Sequence, residues 1–205
     1  MKDRKQILLL TIFGIPFTLG MFIVGYWYLT TRIEKKILLP SFGAVPEFRL
    51  TSQDGVALSR ESLLGKVTIA DFIFTECAGA CPLMSAKMKE LQETFRLDPR
   101  TRLFSFSVDP ETDTPDVLRQ YARQYDAVPG KWFFLTGERK AIDRLTREGF
   151  HLATGVGADS AIIHSQKFVL IDHHATIRGY YDSDDSDAVN NLVRDARILS
   201  RRVEP

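Results

Sequence analysis

The spacing of apolar positions changes several times along the chain, and each change predicts an element. From Gln6 to Thr31 no residue is charged. The stretch Ile7 to Thr30 would span roughly 36 Å as a helix, more than the ~30 Å hydrocarbon core of a bilayer. Tyr26, Trp27 and Tyr28 fall near its C-terminal end, where an aromatic belt is expected. The run is longer than a signal-peptide core, and bulky residues follow it rather than small ones. The pattern predicts an uncleaved transmembrane helix at about residues 7–30, inside a membrane anchor formed by residues 1–36. Residues 37–46 contain Pro40, Gly43 and Pro46 and read as a linker. Residues 47–205 read as one domain.

Inside that domain the period alternates between two and 3.6. Phe48 to Thr51 and Val56 to Leu58 flank Asp54-Gly55, which predicts a β-hairpin. Ser59 to Leu64 is a short helical turn ended by Gly65. Val67 to Phe74 is apolar on both faces and predicts a central strand. After Pro82, Met84, Met88, Leu91 and Phe95 recur at helical spacing. They read as a core stripe, although methionines beside cysteines also fit copper. Arg102 to Val108 is the next strand. Thr114 caps a helix that has Pro115 at its first position. Trp132 to Leu135 predicts a strand and Glu138 to Phe150 a helix. The strands Lys167 to Asp172 and Thr176 to Tyr181 precede a last helix, Ser186 to Arg202. This strand–helix alternation predicts an α/β fold, with a mainly parallel sheet, helices on both faces and a late antiparallel hairpin at one edge.

Composition narrows the function. The chain has 44% hydrophobic and 26% charged residues and a net charge of +1, ordinary for a globular protein and without the field that nucleic acid attracts. Residues 37–205 carry a net charge of about −3. Three basic residues flank each side of the apolar run, so the charge rule assigns no orientation. Two cysteines allow one disulfide, one dithiol or part of a metal site. The four arginines Arg194, Arg197, Arg201 and Arg202 read as a solvated helix face near a C-terminal dipole. Asp182, Asp184, Asp185 and Asp187 suit the start of that helix.

Both cysteines, Cys77 and Cys81, lie between the central strand and the helix that follows. Cys81 reads as the helix N-cap, with Pro82 in the first turn, and a thiol there is expected to ionise more easily. Ala78, Gly79 and Ala80 permit a tight turn that folds Cys77 back toward Cys81. Two thiolates suit Cu(I), and an added imidazole extends the site to Cu(II). The same closeness permits a disulfide. Of the four histidines, His164 is the best third ligand, because it follows a Gly-containing loop and precedes a strand. His173 and His174 read as solvated turn residues. Glu76 beside Cys77 opposes thiolate formation, which counts against a thiol peroxidase.

The combination Phe74-Thr75-x-Cys77-x-x-x-Cys81-Pro82, Val108-Asp109-Pro110-Glu111-x-Asp113-Thr114-Pro115 and His164 before a strand resembles the SCO/SenC proteins. The resemblance covers roughly residues 45–202. It implies a thioredoxin-like sheet flanked by helices, with an N-terminal β-hairpin extension and an N-terminal transmembrane helix. It implies a copper metallochaperone that assembles the dinuclear copper site of cytochrome c oxidase, with Cys77, Cys81 and His164 as ligands of Cu(I) or Cu(II). Its partners would be the oxidase copper-site subunit, other copper chaperones and thiol reductants. It also places the domain in a bacterial periplasm or a mitochondrial intermembrane space. A thiol–disulfide oxidoreductase using Cys77 and Cys81 as its redox pair is the other reading. This chain has Ala78 and Ile163 where family members often carry Pro and Asp.

Overall fold

A computed structural model describes residues 15–36, 39–77, 79–150, 155–156, 162–163 and 166–203. They fall into two units, residues 1–39 and 40–205. The first contains α1 (Ile15–Lys36), on which Phe17, Met21, Phe22 and Trp27 are exposed. Among the described residues no helix is long and apolar enough to cross a membrane. Residues 7–14 of the expected span lie outside the described residues.

The second unit is built on a seven-stranded sheet, ordered β2-β1-β5-β4-β3-β8-β9. Its strands are β1 (Arg49–Ser52), β2 (Ala57–Ser59), β3 (Val67–Ile73), β4 (Thr101–Ser107), β5 (Trp132–Thr136), β8 (Lys167–Ile171) and β9 (Ile177–Asp182). A separate pair, β6 (Gly155–Val156) and β7 (Ile162–Ile163), is antiparallel. The helices are α2 (Ala80–Thr94), α3 (Pro115–Gln124), α4 (Arg139–Arg144) and α5 (Ser186–Ser200).

The predicted hairpin forms, with Leu50 opposite Leu58 and Gly55 at φ +77° in its turn. Every residue of β3 is buried, as its unbroken apolar run requires. The expectation of a mainly parallel sheet is corrected. Only β3–β4 and β4–β5 are parallel. The early hairpin docks β1 antiparallel to β5 at one side, and β8 docks antiparallel to β3 at the other. Strand periodicity reports which faces are buried, not which neighbour a strand chooses.

The period of two sorts the core. On one face Ala70, Phe72, Phe104, Phe106 and Val169 form a cluster with Ile142, Leu145 and Phe150. On the other, Tyr121 of α3 packs edge-on to Phe134, which stacks on Trp132. The Thr114 hydroxyl accepts the Val117 N–H at 3.4 Å, capping α3 as predicted, with Pro115 at the first position. The helix expected over residues 138–150 is α-helical only to Arg144; Leu145–Gly149 is a π-turn. Gly149 fits there because a Cβ would lie 2.6 Å from the Pro46 ring.

Met84, Met88, Leu91 and Phe95 are all at most 2% exposed, which settles the stripe as core. Met84→Leu and Met88→Leu should each cost less than about 1.5 kcal/mol in urea denaturation, being nearly volume-conserving, and leave copper binding unchanged. A loss of copper affinity would return the methionines to the ligand set.

Candidate metal centre

The cysteine turn sits at the C-terminal end of β3. That strand ends at Ile73, Thr75 to Cys77 turn, and Gly79 is the N-cap of α2. Cys81 is therefore inside the first turn, not the N-cap as the sequence predicted. Cys77 is half-buried and Cys81 is fully buried; neither is in a disulfide. The Gly79 N–H points at Cys77 Sγ, 3.4 Å away. Pro82 and Leu83 are exposed beside them, so the turn opens to solvent on its outer side.

The expectation that a helix start would acidify the thiols fails at Cys81. Burial pushes its pKa far up, and the Cys77 thiol and Asp71 carboxyl add to the shift. A backbone hydrogen bond at Phe74 offsets part of it. Desolvation of a thiolate outweighs the dipole here. Deprotonation of Cys81 must therefore be driven by what replaces the proton, as metal binding does.

Two acids shape the site, and sequence reasoning assigned neither a role. Asp113 is buried within the Asp109-to-Pro115 motif. It accepts the Thr75 N–H at 3.2 Å, the Thr75 hydroxyl at 2.5 Å and the Ser107 hydroxyl at 2.5 Å. This clamp ties the residue two before Cys77 to the end of β4. Burial still raises the Asp113 pKa, and the Ser107 and Thr75 donors oppose the rise. Arg139 of α4 braces the same motif from outside, donating to Val108 O at 2.7 Å and to Asp109 Oδ1 at 3.2 Å and pairing with Glu111. Asp113 lies 38 residues from Thr75, so only the motif itself marked it.

Asp71 is the second acid. It is fully buried in β3, and neither carboxyl oxygen has a hydrogen-bond partner among the described residues. Burial raises its pKa to about 7, with the nearby Ser105 hydroxyl offsetting only part of the rise. The signal was a lone acid inside an apolar strand.

His164 and His151 lie outside the described residues. His173 and His174 occupy the β8–β9 turn, ring centroids 4.0 Å apart. The Gly65 N–H bonds to His173 O, which places this pair near the start of β3, at the other end of the sheet from Cys77. Among the described residues no group of three or more His, Cys, Asp or Glu side chains could hold a metal. The structure thus brings the two cysteines together and separates them from the histidine pair.

The family model for SCO1/SenC matches residues 40–196. The SCO1 protein homolog of Bacillus subtilis (strain 168) is 33% identical over 159 residues, covering 76% of this chain and 82% of its own. The solved structure of BsSco, which has a disulfide switch and is a member of the Sco family of cytochrome c oxidase assembly proteins, is 31% identical with a TM-score of 0.71. It covers 80% of this chain and 98% of its own. Bradyrhizobium japonicum ScoI with copper bound is 25% identical with a TM-score of 0.62, covering 74% and 98%.

Proposed function

Because the chain belongs to the SCO1/SenC family, we propose that it is a membrane-anchored copper chaperone for the dinuclear copper site of cytochrome c oxidase. Copper is its cargo. The observation that carries this reading is the pair of thiols at one strand–helix joint, one buried and one half-buried, on a turn clamped by Asp113. Cys77 and Cys81 would hold Cu(I) as thiolates, the soft ligands that ion prefers, with His164 as the third ligand. Both thiols lose their protons on loading, so uptake strengthens as pH rises. Cys77, half-buried, is the ligand a partner can reach. The uncharged run before residue 32 would anchor the chain, with the copper domain outside the cytoplasm.

The test is a Cu(I) titration against a competing chelator. The wild-type chain should bind one equivalent, and the Cys77→Ala, Cys81→Ala variant more than about 100-fold more weakly, beyond what loss of a supporting residue alone costs. Equal affinities would sink the chaperone reading.

The same two thiols favour a second reading, thiol–disulfide exchange. The Cys77 thiolate would attack a partner disulfide, forming a mixed disulfide and releasing one partner thiolate. Cys81 would then attack Cys77 Sγ and release the second, leaving the partner reduced by two electrons and this chain oxidised. Turnover of a disulfide substrate that survives His164→Ala would favour it.

A further inference from the structure

The pole of the sheet opposite Cys77 carries a groove that the copper chemistry does not use. A cavity of about 330 Å³ lies between the end of α2 and the end of α5, lined by Leu97, Arg100, Arg197 and Arg201. A second of about 330 Å³ continues past Arg197 and Arg201 along the outer side of α5. The acid in the groove, Asp98, is already engaged by Arg100, Thr101 and Ser200, so the arginines leave it positive. Leu97 is 83% exposed on its rim.

The position of this groove follows from the pairing. Val67 at the start of β3 bonds to Arg100 O, so the Asp98-to-Arg100 turn sits at the N-terminal ends of β3 and β4. The linker arrives at that same end. Phe42 and Val45 bond to the main chain of Ile177 and Ala175, in and beside the β8–β9 turn. The entry of the tether and the arginine groove thus share one pole, and the cysteine turn occupies the other.

We propose that this arginine pole rests on the membrane and binds anionic phospholipid headgroups, holding the cysteine turn away from the bilayer toward the partner. Guanidinium groups match phosphate geometry, and an exposed leucine at the rim suits the interface. The proposal rests on the membrane-anchor reading, and its test separates the two.

The full chain is placed in nanodiscs of phosphatidylcholine, with or without phosphatidylglycerol, and amide hydrogen exchange is followed. On anionic discs, exchange in residues 94–101 and 194–203 should slow, and exchange in residues 79–85 should not. The Arg197→Gln, Arg201→Gln variant should need about 30-fold more anionic surface for the same protection, at about 1 kcal/mol per arginine, and high salt should act alike. Equal exchange on both discs overturns the proposal. So does protection by polyglutamate but not by anionic discs, which would assign the groove to an acidic protein. A chain that fails to enter nanodiscs overturns the anchor reading instead. Salt-sensitive co-flotation of that chain with phosphatidylglycerol vesicles would then uphold the groove, and its absence would overturn it.

Discussion

Asp71→Asn should raise stability at pH 8 by about 2–4 kcal/mol and change it little at pH 4. The native carboxyl ionises at about pH 7, whereas an exposed one does so near 3.8. Between these values the unfolded chain has released its proton and the native chain has not. Native binds more protons, so the wild type loses stability as pH rises from about 4 to about 7, and the loss is complete above that. At about 1.36 kcal/mol per pH unit, the limit is about 4 kcal/mol. Asparagine carries no charge, so this part of the pH dependence should vanish. Urea denaturation at pH 4, 6 and 8 reads it. Parallel pH profiles for the two proteins would show that Asp71 titrates normally. An ionised Asp71 also opposes a Cys81 thiolate, so Asp71 lies under the site rather than merely in the core.

Asp113→Ala should destabilise the fold by at least about 3 kcal/mol. It strands two hydroxyls and a backbone N–H that now meet a carboxylate, and bonds to a charged acceptor are worth about 1.5–3 kcal/mol each. Asp113→Asn should lose less, because one carbonyl oxygen remains to accept. Both should weaken Cu(I) binding about 10–100-fold, as loss of a group that orients a ligand does. A chelator competition on the folded Asn variant checks this apart from stability. Unchanged copper affinity there would mean that the clamp serves the fold alone.

What the sequence made legible follows the range of each cause. The hairpin around Asp54-Gly55, the buried strand Val67–Ile73, the Thr114 cap and the Met84–Met88 stripe are set by residues within a few positions, and all appear where expected. The docking of β1 on β5 and of β8 on β3 is a choice among neighbours far away in sequence. The same limit applied at the site. The cysteine pair and the motif that contains Asp113 were visible as patterns. That Asp113 grips Thr75, that Asp71 lies beneath Cys81, and that burial outweighs the helix dipole at Cys81 depend on three-dimensional neighbours. The spacing of the α5 arginines gives a solvated face; that Arg197 and Arg201 line a groove at the pole where the linker enters depends on distant neighbours.

X-ray absorption at the copper edge of the Cu(I)-loaded chain reads the ligand set of the bound metal. The expected first shell is two sulfurs and one nitrogen, with the nitrogen lost in His164→Ala and both sulfurs lost in the Cys77→Ala, Cys81→Ala variant. A first shell without sulfur in the wild-type chain would contradict it.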